Sequence, residues 1–148
     1  MVANVLDRFE FRSVRANEAE EIAEIEKICF PPHEACSKKD MFERVEHAPE
    51  LFLVAVDKET GTIAGFLNGL ATDEEAFRDE FFTDITVHNP EGKNIFLLGL
   101  DVRPEYRRQG LAREIMNQYV KREQAKGRKM LKLTCLEQKV EMYKKMGY

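Results

Sequence analysis

Several protein classes are excluded by what this 148-residue chain lacks. No apolar run approaches the length of a membrane-spanning helix, and Met1-Val2-Ala3-Asn4 does not begin a signal peptide. The three cysteines, Cys29, Cys36 and Cys135, are odd in number and include no Cys-x-x-Cys pair, which fits reduced thiols in a cytoplasm better than a disulfide framework. No metal ligand set is expected, and neither internal repeats nor low-complexity segments occur. An excess of positive charge is missing as well: the net charge of −4 disfavours nucleic-acid binding. Neither Gly-x-Gly-x-x-Gly nor Gly-Lys-Ser/Thr is found, so the two commonest phosphate loops are ruled out.

What remains is the composition of a soluble globular protein, 43% hydrophobic and 34% charged, with one domain expected over residues 1–148. Its most apolar run, Ile95-Phe96-Leu97-Leu98-Gly99-Leu100, reads as a buried strand. Beyond it Leu111, Ile115, Met116, Tyr119 and Val120 recur at helical spacing until Gly127 supplies a stop. Between strand and helix lie Arg107, Arg108, Gln109 and Gly110. A helix N-terminus offers unpaired N–H groups and the positive end of a dipole, and a glycine admits close approach, so this junction suits a phosphate or pyrophosphate. A basic turn alone is equally a solvated loop.

The other elements follow in order. Phe9, Phe11 and Ser13 alternate as a first strand; Asn17 with Glu20 reads as a capping box opening a helix whose apolar face is Ala19, Ile22, Ile25, Ile28 and Cys29. Pro31-Pro32 ends it, and Ser37 with Asp40 opens a second helix reaching about His47. Between the two, His33, Glu34 and Cys36 share a loop that is either a connector or a chemical site. Leu51 to Val56 and Ile63 to Ala71 read as an antiparallel pair, with Gly65 and Gly69 marking a bulge or a close approach. Residues 72–84 are acidic and read as a solvated helix face or a surface for a cationic partner. Lys129 to Cys135 is a fifth strand and Glu137 to Met146 a last helix. A hairpin feeding a strand–helix–strand unit implies an α/β fold, a mixed sheet with helices on both faces.

Arg107-Arg108-Gln109-Gly110-Leu111-Ala112, with Leu100-Asp101-Val102-Arg103-Pro104 before it and Tyr143-Lys144-Lys145-Met146-Gly147-Tyr148 near the end, resembles the GNAT superfamily of acyl-CoA-dependent N-acetyltransferases. Ile25-Glu26-Lys27-Ile28-Cys29-Phe30-Pro31, Glu34-Ala35 and Ala48-Pro49-Glu50-Leu51 are similar to the arylalkylamine (serotonin) N-acetyltransferase-like branch. The resemblance implies acetyl-CoA as cofactor, with coenzyme A released. The backbone of Leu100, Asp101 and Val102 would pair with the pantetheine arm, and Arg107, Arg108, Gln109, Gly110, Leu111 and Ala112 would cradle the pyrophosphate. It further implies Tyr143 as the acid that protonates the thiolate and a small-molecule primary amine, cationic or aromatic, as acceptor, with Glu34 on the substrate side.

Two departures accompany the resemblance. The branch's two histidine bases fall at Phe96 and Leu98, and the glutamate of other members would also fall at Phe96. An amine of pKa about 10.4 carries its proton at neutral pH, and removing it costs roughly 4–5 kcal/mol. Either water carries that proton or another group does, and Glu34, His33 and Asp101 are the candidates. The superfamily's further strands after the Tyr-x-x-x-Gly-Tyr motif are not in this sequence, so either the sequence is a fragment or the fifth strand exposes an edge that another chain, as in a homodimer, would cover. A non-catalytic acyl-CoA-binding module and a protein N-acetyltransferase are the alternatives.

Overall fold

The computed structural model describes residues 5–32, 35–74 and 88–133. Among them, five strands form one sheet in sequential order: β1 (Phe9–Arg12), β2 (Phe52–Asp57), β3 (Ile63–Thr72), β4 (Asn94–Val102) and β5 (Met130–Leu133). The first four are antiparallel neighbours, whereas β5 runs parallel to β4. Four helices accompany them: α1 (Val5–Arg8), α2 (Ala19–Cys29), α3 (Lys38–His47) and α4 (Leu111–Ala125). The mixed sheet with helices on both faces therefore forms.

Alternation along the strands builds two cores. Leu53 and Ala55 of β2, Ala64 and Leu67 of β3, and Ile95 and Leu97 of β4 pack against Leu111, Ile115, Met116 and Tyr119 of α4. On the opposite face Phe52, Val54, Ile63 and Phe66 meet Ile22 and Ile25 of α2 and Met41 and Val45 of α3. Cover on both sides explains why β2 is apolar from Phe52 to Val56 rather than alternating. Each fully buried aliphatic side chain is worth about 1.5–3 kcal/mol. The close approach expected at Gly69 is real: a Cβ there would lie 2.6 Å from the Tyr119 hydroxyl, which donates to Leu51 O at 2.8 Å.

Two bulges shape the sheet. Ala55 pairs with Gly65 and Val56 with Ile63, which leaves Ala64 as the extra residue of β3. Asn68 pairs with Gly99 and Gly69 with Leu97, which leaves Leu98 extra in β4. The second bulge resets the alternation, so Leu100 and Val102 face α4 as Ile95 and Leu97 do. Phe96 and Leu98 form a separate apolar cluster with Leu70.

Local signals were met unevenly. Ser37 Oγ caps α3 by accepting the Asp40 N–H at 3.1 Å, as its sequence predicts. The Asn17–Glu20 capping box does not open α2. A 3₁₀ turn at Ala16–Glu18 comes first, and the Arg15 N–H donates to Glu18 Oε1 at 2.8 Å. Glu18 takes that role because its two oxygens also hold the Arg12 guanidinium, at 2.8 and 2.7 Å. Ile28, expected on the apolar face of α2, is 46% exposed: the buried stripe is Ala19, Ile22, Ala23, Ile25 and Glu26, and Ile28 lies nearly opposite it.

Candidate active site

The site is built on the bulge in β4. The described β5 pairs with Asn94, Ile95, Phe96 and Leu97 only, so residues 98–102 are uncovered on that side among the described residues. The direction of their peptide groups follows from a single hydrogen bond. The Arg103 N–H donates to Ala64 O at 2.8 Å, which makes the Gly65–Val102 pair one that exchanges no hydrogen bonds. Both backbone groups of Val102, and by alternation those of Leu100, therefore point away from β3, whereas those of Asp101 point into it. The Val102 carbonyl accepts from Arg107 Nε at 2.9 Å and from the Cys29 thiol at 3.4 Å. The Val102 N–H is left facing the uncovered side.

The chain then turns through Pro104–Tyr106 and reaches α4 by way of two left-handed residues, Arg108 (φ 65°) and Gly110 (φ 79°). For Arg108 this conformation costs on the order of 1–2 kcal/mol, and its neighbours are anchored on both sides. Tyr106 donates to Asp57 Oδ2 at 2.8 Å in the interior, and Arg8 Nη1 donates to Gln109 Oε1 at 3.1 Å. Arg8 also lies 3.6 Å from Asp57 Oδ2 and over the rings of Phe9 and Tyr106, 5.3 Å from each centroid. The Tyr106 hydrogen bond, with the Glu59 amide, holds the Asp57 carboxyl below its usual range; burial raises the Tyr106 phenol. No side chain caps α4 at Gly110, so its first-turn N–H groups open onto an exposed loop. Such a ring of amides at a helix start is suited to an anion.

Across β4 from α4 lies a polar group that sequence reasoning passed over. Glu26 of α2, Arg44 of α3 and Asn68 of β3 are buried beside Asp101, with exposures of 7%, 6%, 1% and 1%. With its amide oriented to satisfy both neighbours, Asn68 donates to Gly99 O at 3.3 Å and accepts from Arg44 Nη1 at 3.1 Å. Glu26 Oε2 accepts the Cys36 N–H at 2.8 Å. Burial pushes the Cys36 thiol up to about 11, so it stays protonated at neutral pH. The signal for Glu26 was present: it continues the apolar stripe of α2 one turn beyond Ile22, an unusual place for a carboxylate.

Leu100, Asp101, Val102 and residues 107–112 thus form one continuous strand–turn–helix. Within it the Arg107 and Gln109 side chains contact protein partners and Leu111 belongs to the core, so what this segment presents outward is backbone together with the exposed Arg108. Tyr143, Glu34 and His33 lie outside the described residues, as do Cys135, the expected last helix and most of the acidic 72–84 segment. Phe96 and Leu98 contribute only hydrocarbon.

This arrangement matches known proteins. Residues 19–148 fit the acetyltransferase (GNAT) family, and the chain belongs to it. It is 31% identical over 114 residues to the probable hydrolase YhcX of Bacillus subtilis (strain 168); that alignment covers 70% of this chain but spans only 22% of the length of the Bacillus protein. Among solved structures it resembles the loading GNATL domain of CurA from Lyngbya majuscula, with a TM-score of 0.77 at 15% identity over 91% of this chain and 68% of that one. It also resembles the diaminobutyrate acetyltransferase EctA from Paenibacillus lautus, solved with L-2,4-diaminobutyric acid and coenzyme A, with a TM-score of 0.66 at 16% identity over 94% and 72%. At these identities the likeness is one of fold. No helix among the described residues is long and apolar enough to cross a membrane.

Proposed function

We propose that this chain transfers acetyl from acetyl-CoA to the primary amine of a small cationic or aromatic compound. The observation that carries the reading is the outward N–H of Val102 on a stretch of β4 that no strand covers among the described residues, continuous with the amide-lined start of α4. Backbone that β5 leaves unpaired among the described residues can pair with an amide-bearing pantetheine arm, and the loop at residues 107–112 then receives the pyrophosphate. A fixed N–H beside the thioester carbonyl stabilises the oxyanion of the tetrahedral intermediate without reorganising. Arg107 and Cys29 hold the Val102 carbonyl, which keeps that peptide plane in place.

Support for a small amine comes from EctA, whose acceptor is a diamino acid. The acidic composition of residues 72–84 favours a cation, and the resemblance to the arylalkylamine branch favours an aromatic one. Tyr143 is assigned the proton for the departing thiolate. A phenol of pKa about 10 is a weaker acid than a thiol of pKa about 8.5, so the transfer must accompany C–S cleavage. Following thiol release from acetyl-CoA against a panel of polyamines, diamino acids and arylalkylamines tests the reading. Turnover with at least one is expected, and Tyr143→Phe should slow it about 10–100-fold with acetyl-CoA affinity unchanged. Saturable acetyl-CoA binding with no turnover on any amine would instead mark a non-catalytic module.

A further inference from the structure

Arg8 closes α1, upstream of the family-matched stretch, which begins at residue 19. Its side chain nevertheless ends at the start of α4, on a residue 101 positions further along the chain. The main chain is set first. The Arg8 carbonyl accepts the Lys58 N–H at 3.1 Å, and the next residue, Phe9, faces Asp57 across the β1–β2 pair. The guanidinium then lies over Phe9 and Tyr106, two rings packed edge to face with centroids 5.7 Å apart. From there it reaches in two directions: Nη2 stands 3.6 Å from Oδ2 of the buried Asp57, and Nη1 donates to Gln109 Oε1 at 3.1 Å. The Asp57 carboxylate is itself fixed, accepting the Tyr106 hydroxyl on Oδ2 and the Glu59 N–H on Oδ1. One interior carboxylate thus holds the loop before α4 twice, directly through Tyr106 and, by way of Arg8, through Gln109.

What is held there is strained. Gln109 sits between Arg108 (φ 65°) and Gly110 (φ 79°), and a non-glycine residue keeps the left-handed conformation only where its surroundings fix it. The directions of the N–H groups that open α4 depend on those two residues. We infer that Arg8 is a positioning residue for acetyl-CoA: through Gln109 it keeps residues 108–110 in the shape that receives the pyrophosphate, without touching the phosphates itself. This rests on the acetyl-transfer reading above and adds to that site a residue from outside the strand–turn–helix. Arginine suits the task. Its planar fork sends N–H groups to two acceptors while its face lies on aromatic rings, which an ammonium on a flexible stem cannot do. A loop shaped in advance has less ordering to do when the ligand arrives, so the effect falls on affinity and not on turnover of the bound complex.

The test compares Arg8→Met, Arg8→Lys and Gln109→Ala. Acetyl-CoA affinity is read by calorimetry, and kcat by thiol release at saturating acetyl-CoA with an amine that the native chain acetylates. Met keeps hydrocarbon on the two rings and loses both polar contacts. Arg8→Met should weaken acetyl-CoA binding about 5–30-fold, the size of one strained left-handed residue, with kcat within about twofold of native. Arg8→Lys keeps the charge but not the fork, and should stay at least about threefold weaker than native. Gln109→Ala breaks the same tie from the other end, so the double variant should bind no more weakly than Arg8→Met alone. Native affinity in Arg8→Met overturns the positioning role, and native affinity in Arg8→Lys does so by leaving charge as the sole cause. A double variant whose loss is the product of the two single losses overturns it too, because Arg8 then acts without Gln109. If Arg8→Met does not fold, Gln109→Ala decides, since it leaves Arg8 on Asp57: native affinity there overturns the inference. A native chain that binds no acetyl-CoA overturns the cofactor reading itself.

Discussion

The two faces of β4 are made of different material. On one, Leu100 and Val102 join Ile95 and Leu97 against α4, in a core of hydrocarbon whose tyrosine hydroxyls are satisfied inside the protein. On the other, Phe96 and Leu98 give way at the bulge to Gly99 and Asp101, surrounded by Glu26, Arg44 and Asn68. Burying charge is costly, and an apolar core of the same volume is commonly more stable than a buried ion pair. A fold needing only stability would have repeated the α4 solution on both sides. The bulge at Leu98 sets this division, because one extra residue reverses which side chains meet which helix.

That contrast can be broken at several points. The largest effect is expected at Val102, whose N–H points away from β3. Val102→Pro removes the outward donor without removing a β3–β4 hydrogen bond, so the chain should still melt cooperatively while kcat falls about 10²–10³-fold. Asp101→Pro deletes an inward donor and should instead prevent folding. Circular dichroism melts beside the thiol-release assay separate the two, and an unfolded Val102→Pro would refute the assigned peptide directions.

Next in size are the packing changes. Ile115→Ala, fully buried on α4, should lower stability by about 2–5 kcal/mol in urea titrations. Ile28→Ala, at 46% exposure on α2, should stay within about 0.5 kcal/mol.

The smallest effect concerns pH. Asp57 is held below its usual range first by the Tyr106 hydrogen bond, and Glu18 by the Arg12 hydrogen bond. A carboxylate whose folded pKa is depressed contributes stability above its unfolded pKa of about 4, and that stability is lost as pH falls through the folded value. Tyr106→Phe should therefore cost about 1–3 kcal/mol at pH 7, where Asp57 is ionised, and distinctly less near pH 3. Stability curves at the two pH values check this; equal costs would remove Asp57 from the acid response.

The cofactor side was more legible in the sequence than the acceptor side, and the reason is the range of the contacts. Leu100, Val102, Arg107 and Gly110 lie within one short stretch, so an apolar run, a basic turn and a helical period were enough to mark a strand–turn–helix. Of the residues grouped there, only Asp101 was marked in the sequence; Glu26, Arg44 and Asn68 come from three other elements far apart in the chain, and each by itself reads as an ordinary charged or polar residue. The capping of α2 failed for a related reason: Glu18 is selected over Glu20 by Arg12 on the neighbouring strand, which local spacing does not register.

By itself the sequence determined the order of the elements, the near-continuous apolar runs that give β2, β3 and β4 two covered faces, and the glycine at the start of α4. All three are properties of near neighbours along the chain, governed by periodicity and backbone sterics. Only the tertiary structure decided that the bulge in β4 falls at Leu98, that the N–H of Val102 therefore faces outward, and that a carboxylate from α2 meets Gly99. Those outcomes depend on strand register and on which helix lies over which face, and register is settled by the whole sheet packing at once.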